Sequence, residues 1–225
     1  MNNHFGINDY KKMFKKYGIN LPVYYFFENH LFDILNKIDT HKRLLKSEYS
    51  SKPINFNEGV YYMASFNSVI KKTVSIVHAL ESEEFVKYNL IDIGSGKGKV
   101  LFIWSKYLNK HKLQNKIIGI EYDLELSEIA SRNLNNKNNI QLLNLDIENT
   151  PDYIFEEDAV YYLYNPFGEK IIKFFLDKIN SKHFIIYNNP VHLNTFLDNN
   201  YEIVKNNYDF HPNLDWVILR KKNLI

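Results

Sequence analysis

The sequence contains no cysteine among its 225 residues. Disulfides, cysteine-ligated zinc or iron–sulfur sites and a thiol nucleophile are therefore excluded. No apolar run approaches the roughly 18–20 residues that a membrane span needs. The polar N-terminal stretch, residues 1–16, also lacks the apolar core of a signal peptide. These absences lead us to expect a soluble, cytoplasmic protein.

The chain also has little excess of charge of either sign. Its 28 basic and 26 acidic residues give a formal net charge of +2. So small an excess makes nucleic acid an unfavoured partner. Three short basic clusters, Lys71-Lys72, Lys110-His111-Lys112 and Arg220-Lys221-Lys222, fit the solvated ends of helices or strands. The sequence leaves open whether they share a face. No His/Asp/Glu cluster has metal-ligand spacing, so no metal is predicted.

What the chain has in quantity is apolar and aromatic side chains, 45% and 16% of the residues. Residues 1–57 contain helix-like pieces followed by a polar stretch, and we interpret them as a helical N-terminal extension that caps the substrate site. Residues 58–225 alternate short apolar runs with helical patterns, which predicts an open α/β sheet with mostly parallel strands. The predicted strands are Leu90–Ile93, Lys116–Ile120, Ile140–Leu145, Ala159–Tyr164, His183–Tyr187, Tyr201–Tyr208 and Trp216–Arg220. Sheets of this type bind ligands at the carboxyl ends of their strands.

The strongest local signal is the segment Asp92-Ile93-Gly94-Ser95-Gly96-Lys97-Gly98-Lys99, between a predicted strand and a predicted helix. Glycines at alternate positions allow a sharp turn and close contact with a ligand. The helix that follows offers free N–H groups to an anionic group. A dinucleotide fingerprint needs its third glycine at position 99, where this sequence has lysine.

The segment resembles motif I of the class I S-adenosylmethionine-dependent methyltransferases. That resemblance implies a Rossmann-like, seven-stranded mixed sheet flanked by helices, with the last two strands antiparallel, and S-adenosylmethionine as the cofactor. It further implies that Glu121, ending the second strand, binds the ribose hydroxyls and that Tyr122 lies against the adenine. Asp146, ending the third strand, would bind the adenine amino group, and the Ile147 backbone N–H a ring nitrogen.

Tyr164-Asn165-Pro166-Phe167, after the fourth strand, is similar to motif IV of the same family. The resemblance covers about residues 59–220. It is closest to small bacterial methyltransferases that share this motif and a lysine after the second glycine of motif I. The segments Ile38-Asp39-Thr40 and Tyr61-Tyr62 are similar to that group as well. Tyr61 or Tyr62 could reach the cofactor carboxylate, or simply pack in the core.

Asn165 is the main candidate for catalysis, because its amide could hold an amine or hydroxyl acceptor beside the methyl group. In N-methyltransferases with an Asn-Pro-Pro-Tyr or Asn-Pro-Pro-Phe motif, the asparagine orients the target nitrogen and the aromatic residue packs on it. This sequence has one proline fewer, so either Tyr164 takes the first position or the loop is shorter, with Phe167 as the aromatic residue. Alternatively, Asn165 is only a turn residue.

His192 follows the fifth strand and could act as a general base for a hydroxyl acceptor. The alternative for this segment is structural, with Asn189 capping a helix whose first residue is Pro190. In the N-terminal extension, Tyr24, Tyr25, Phe26 and Phe27 could line the acceptor site.

The sequence therefore predicts an S-adenosylmethionine-dependent methyltransferase. Its acceptor is left open between a protein lysine or other amine, a hydroxyl of a small metabolite or sugar, and RNA, which the near-neutral charge disfavours. A non-catalytic cofactor-binding subunit and an NAD-dependent reductase are the alternatives. The oligomeric state is not predicted.

Overall fold

A computed structural model of the chain describes residues 7–41, 62–135 and 137–222. In this part of the chain, one sheet of seven strands has the order β3-β2-β1-β4-β5-β7-β6. The strands are β1 (Asn89–Ile93), β2 (Ile117–Ile120), β3 (Ile140–Leu143), β4 (Ala159–Tyr164), β5 (His183–Asn188), β6 (Tyr201–Asn207) and β7 (Trp216–Lys221). Strands β1 to β5 pair in parallel, and β7 runs antiparallel to both β5 and β6. The predicted fold class is confirmed.

Helices cover both faces of the sheet. They are α1 (Ile7–Tyr17), α2 (Asn20–Tyr25), α3 (Phe32–Asn36), α4 (Asn67–Glu81), α5 (Lys99–His111), α6 (Leu124–Asn133), α7 (Glu169–Lys178) and α8 (Leu193–Asp198). Side chains of α4, α5 and α6 join one apolar core, and those of α7 and α8 join a second core on the opposite face. Because both faces of the central strands are covered, all five residues of β1 are buried.

Five strands differ from the predicted bounds by one residue at an end, and three elements differ by more. Strand β3 ends at Leu143, two residues early, and the short helix that the sequence pattern predicts over Val191–Leu197 begins only at Leu193. The helix expected over Tyr24–Ile38 is interrupted by a π-helical segment, Phe26–Leu31, and ends before Lys37, whose φ is +55°. A π-helical segment changes which side chains share a face, and periodicity does not reveal it.

Two further findings concern the chain as a whole. The predicted boundary between residues 57 and 58 lies outside the described residues. No helix in the described ranges is long and apolar enough to cross a membrane.

Candidate functional site

The glycine-rich turn connects β1 to α5 at the carboxyl edge of the sheet. Gly94, Gly96 and Gly98 all have positive φ angles, of +77°, +52° and +78°, which explains why glycine occupies each position. The N–H groups of Gly94 and Ser95 both donate to the Ile120 carbonyl at 2.9 Å. The turn is therefore fixed to the end of β2 by backbone hydrogen bonds.

Glu121 follows β2 directly and faces this turn. The Gly96 N–H donates to its Oε2 at 2.8 Å, and the Asp123 N–H donates to its Oε1 at 2.9 Å. Burial raises the pKa of Glu121 to about 7, against the opposing effect of these two backbone hydrogen bonds.

Asp92 is a second buried carboxyl group at the same edge. It lies in β1, in register with Gly119 on one side and Tyr162 on the other. Burial, together with the charge of Glu121, raises its pKa well above the usual value. The site thus combines two buried acids with the glycine turn.

A narrow apolar cleft of about 50 Å³ opens beside the turn. Four of the predicted site residues, Tyr122, Asp146, Ile147 and Phe167, line it together with Gly94. Asp146 lies three residues beyond the end of β3 and not at the strand end. Its Oδ1 accepts the Glu148 N–H at 3.1 Å, so this carboxylate also caps a short 3₁₀ turn.

A smaller cavity of about 20 Å³ lies on the other side of the turn, beside Asp92, Tyr62 and Tyr164. The Tyr62 ring packs directly on Gly96: a Cβ atom at that glycine would be 2.2 Å from Tyr62 Cε2. The Tyr62 hydroxyl donates to the Thr40 carbonyl at 2.7 Å. The Tyr62 side chain therefore lies between the glycine turn and the Thr40 backbone.

Two other predicted residues have a different outcome. Tyr61 lies outside the described residues. The Ser95 hydroxyl is buried and has no hydrogen-bond partner among the described residues. It points toward β2, since a Cβ at Gly119 would be 2.9 Å from it. We therefore expect Ser95 to contact a ligand through its backbone.

Asn165 follows β4 with a φ of +42°, a conformation that asparagine tolerates better than most residues. The Tyr187 hydroxyl, from β5, donates to Asn165 Oδ1 at 3.2 Å and accepts the His192 N–H at 3.2 Å. His192 contributes its backbone to this chain of hydrogen bonds. The sequence analysis missed Tyr187, because its relation to Asn165 exists only once β4 and β5 are paired.

The prediction that Asn189 caps a helix is wrong. The helix α8 begins four residues later, at Leu193, and His192 precedes it. Asn189 instead has a φ of +51°, and its carbonyl accepts the Val191 N–H at 2.8 Å. The residue forms a tight turn after β5.

A third cavity, of about 450 Å³, lies between the N-terminal helices and the β6–β7 connection. Its lining includes Lys12, Lys16, Tyr17, Tyr25, His41, Phe66, Asn189 and His211. It shares Met63 and Ala64 with the cavity beside the turn. Of the four adjacent aromatic residues in the extension, Tyr25 lines this cavity. Tyr24 bonds Ser68, and Phe26 and Phe27 are exposed.

The N-terminal segment is attached to the glycine turn through α6. Asn133 donates to the carbonyls of Asp39 and Lys97 at 3.0 and 2.9 Å, and accepts the Asp39 N–H at 3.0 Å.

Lys99 makes a second attachment between the start of α5 and the N-terminal segment. The buried Lys99 ammonium donates to the Glu28 carbonyl at 2.8 Å and to Asn29, and burial lowers its pKa to about 7. The lysine that breaks the dinucleotide pattern thus holds the extension.

Asp33, Asp39 and His41 place three possible metal-ligand atoms within 4.8 Å of one another, a grouping that sequence spacing did not indicate. The Asp33 carboxylate is already used as an acceptor. It binds the N–H groups of Thr40 and His41, the Thr40 hydroxyl and His41 Nδ1. In this arrangement Asp33 orders the turn that follows α3.

No protein-family profile matches the sequence, and a search of curated proteins finds no match. Among solved structures, the chain is similar to a protein from Listeria monocytogenes described as a class I S-adenosylmethionine-dependent methyltransferase. The TM-score is 0.52 and the identity 12%, over 78% of this chain and 64% of that one. It is also similar to NSun6 from Pyrococcus horikoshii, solved with SFG, with a TM-score of 0.50 and 14% identity over 76% and 56%.

The aligned part of the chain spans less than two thirds of either structure's length. At these identities the likeness shows the fold, which is the Rossmann-like fold of class I methyltransferases. The resemblance to one small bacterial group stays a prediction.

Proposed function

We propose that the protein is an S-adenosylmethionine-dependent methyltransferase. The observation that carries this proposal is the buried Glu121 carboxylate, which two backbone N–H groups hold against the glycine turn. A carboxylate has two acceptor oxygens and can accept two adjacent hydroxyl protons, as a ribose presents them. It stands at the carboxyl edge of a sheet with the fold of class I methyltransferases.

The residues around Glu121 fit the remaining parts of the cofactor. The apolar cleft with Tyr122, Ile147 and Phe167 suits an adenine ring, and Asp146 offers its second oxygen to an amino group. The cavity beside Asp92 and Tyr164 suits the methionine portion. Since the Tyr62 ring bounds that cavity at Gly96, cofactor entry requires this ring to move.

When bound, S-adenosylmethionine supplies an electrophilic methyl group, so the protein mainly has to position the acceptor. Tyr187 accepts the His192 N–H and therefore has its single proton free to donate to Asn165 Oδ1. Burial raises the pKa of Tyr187 to about 12, so this proton stays in place near neutral pH. This hydrogen bond fixes the Asn165 amide orientation and leaves its Nδ2 donors for an acceptor.

We propose the third cavity as the acceptor site, since it adjoins the cavity beside the turn through Met63 and Ala64. Its volume of about 450 Å³ falls in the range of small-molecule sites. Lys12 and Lys16 in its lining favour an acceptor that carries a negative charge. The N-terminal extension would then serve as the substrate cap.

The reductase alternative is not favoured. Its glycine pattern requires glycine at position 99, and the Lys99 side chain is instead buried against Glu28 and Asn29. A non-catalytic cofactor-binding subunit would keep Glu121 and the cleft but form no product. The two alternatives therefore differ in measurable ways from a methyltransferase.

The test combines ligand binding with turnover. A ligand at 100 times its Kd adds about 2.7 kcal/mol to the free energy of unfolding, which raises the Tm by roughly 5–10 °C in a chain of this size. We expect S-adenosylmethionine and its demethylated product to give this shift and NAD(H) to give none. A shift with NAD(H) alone would contradict the proposal.

Turnover is then measured with methyl-labelled cofactor on fractionated cell extract. Label transferred to an acceptor by the wild type, and lost in Glu121→Gln, supports the proposal. The exposed Glu125→Gln on α6 is the matched control and should keep full activity. Cofactor binding without transfer to any fraction would identify a non-catalytic subunit.

A further inference from the structure

A large groove runs between α4 and α5, on the face of the sheet that these helices cover. Its volume is about 760 Å³. The residues that line it are Phe32, Ser68, Lys71, Lys72, Ser75, Ile103, Lys106, Tyr107, Lys110 and His111. Two of the three basic clusters noted in the sequence therefore converge on one surface, and Lys106 joins them.

The positive charge of this groove is not neutralised by neighbouring acids. Among the described residues, no carboxylate lies within 4.0 Å of the ammonium groups of Lys71, Lys72, Lys106 or Lys110. The Lys106 ammonium donates instead to the neutral Asn36 amide at 2.8 Å. The Lys72 ammonium lies over the Trp216 ring, 5.5 Å from its centroid, so Lys71, Lys106 and Lys110 supply the lysine charges along the groove.

The acid at the upper end of the groove is already engaged. The Glu28 carboxylate accepts the Ser68 N–H at 2.7 Å, at the first turn of α4. Further along the surface, the Lys137 ammonium lies 4.6 Å from the centroid of the Phe102 ring, which Lys106 also contacts. Lys137 extends the basic surface beyond the groove.

The shape of the groove selects an extended ligand. Its α5 wall runs from Ile103 to His111, nine residues, which corresponds to about 12 Å of helix. Lys106 and Lys110 stand one helical turn apart along it. At its lower end the rings of Tyr107 and His111 lie 4.4 Å apart, and the His111 side chain is exposed. Lysine side chains beside the half-buried Tyr107 ring and the exposed His111 ring match a chain of phosphates that carries flat bases.

We propose that this groove binds the phosphate backbone of a single-stranded nucleic acid. The near-neutral net charge does not oppose this, because it averages over both faces of the sheet while association depends on the local potential. The groove lies on the face of the sheet that α4 and α5 cover, and not at the carboxyl edge of the strands. Binding of a nucleic acid to this groove can therefore be measured without the cofactor and independently of methyl transfer.

The test measures the affinity of the full chain for a short fluorescent oligouridylate at several salt concentrations. We compare the wild type with Lys71→Gln/Lys106→Gln, which removes two charges from opposite walls of the groove. The slope of log affinity against log salt should decrease by about 0.7 for each lysine removed. Both lysines are exposed, so the Tm should stay unchanged.

The matched control is Lys170→Gln/Lys173→Gln on α7, which removes two exposed charges from the opposite face. This variant should bind the oligonucleotide with the affinity and salt slope of the wild type. Absence of binding by the wild type at low salt, or an equal loss in both double variants, would overturn the proposal. Displacement by polyglutamate as effective as by polyuridylate would also overturn it, in favour of an acidic protein.

Discussion

At the scale of single residues, the chemistry of the site depends on two acids that the fold buries together. Burial raises the pKa of both Asp92 and Glu121, and the charge of Glu121 raises that of Asp92 further. The Gly96 and Asp123 amides donate to the Glu121 carboxylate and so oppose the effect of burial on its pKa. A carboxyl group with a pKa of about 7 changes charge within the physiological range.

We expect cofactor affinity to increase as pH rises through about 7, because the ionised Glu121 accepts hydroxyl protons and the neutral form has lost one acceptor site. Stability should follow the opposite trend. An acid whose folded pKa is raised from 4.5 to about 7 stabilises the fold fully below 4.5, and this contribution is lost as pH rises through about 7.

Calorimetry and urea unfolding across this range measure the two trends. In Glu121→Gln the pH dependence of binding should flatten, and the Kd at alkaline pH should increase roughly tenfold to a hundredfold because a charge-assisted bond is lost. Glu125→Gln should keep both profiles. A pH-independent affinity in the wild type would show that Glu121 does not bind the ribose.

The contact between Gly96 and Tyr62 gives a second prediction. An alanine Cβ at position 96 would overlap the Tyr62 ring and would also adopt a φ of +52°. We expect Gly96→Ala to lower the free energy of unfolding substantially. In a protein that already carries Tyr62→Ala, the same substitution should lower the free energy of unfolding less, because only the backbone strain at position 96 persists. Unfolding of the two single variants and the double variant measures this coupling. Strictly additive losses would place the Tyr62 ring elsewhere in solution.

At the scale of elements, the sequence predicted the ends of β1, β2 and β4 well and those of other segments poorly. Buried parallel strands are continuous apolar runs that stop at a turn signal, as β1 stops before Gly94. The end of β3 was misplaced because Leu145 continues the apolar pattern although it lies in the cleft and outside the sheet. Contacts between strands, such as Tyr187 with Asn165, have no local signal at all.

The hydrogen-bonded chain across the ends of β4 and β5 makes Tyr187 a positioning residue in our proposal. On the acceptor found by labelling, Asn165→Ala should lower kcat about ten- to a thousandfold while the cofactor Kd stays unchanged. Tyr187→Phe should lower kcat less, because the amide keeps its place but loses its fixed orientation.

The control for Tyr187→Phe is Tyr201→Phe, another buried tyrosine, whose hydroxyl contacts His183 Nε2 at 2.6 Å away from the carboxyl edge. Tyr201→Phe should reduce stability without changing kcat. If both tyrosine variants lower kcat equally, the effect is a general loss of packing. Full turnover in Asn165→Ala would make Asn165 a turn residue only.

At the scale of the whole molecule, the N-terminal helices contact α6 and line a cavity together with the β6–β7 connection. The sequence indicated that an extension precedes the sheet, but not that its Asp39 would bond α6 or that its Tyr25 and Lys16 would enclose a cavity with the β6–β7 connection. The residues that make these contacts are separated by nearly a hundred positions, or by more, along the chain. Periodicity carries no information over such separations.

The last prediction tests whether this attachment matters for the cofactor site. Asn133→Ala removes three hydrogen bonds that join α6, Asp39 and the Lys97 carbonyl of the glycine turn. Since a typical hydrogen bond contributes about 0.5–1.5 kcal/mol, the free energy of unfolding should decrease by about 1.5–4.5 kcal/mol. Hydrogen exchange should accelerate in α1 to α3 and in the turn, while β4 and β5 keep their protection.

Asn199→Ala is the matched control, because its amide donates to the Thr195 carbonyl at 2.7 Å within α8, on the other face of the sheet. It should leave exchange in the N-terminal helices unchanged. If the extension completes the site, the Asn133 variant also binds S-adenosylmethionine more weakly, and saturating cofactor restores protection in both the turn and α1 to α3. Protection restored in the turn alone would mean that the extension is attached to the site without contributing to it.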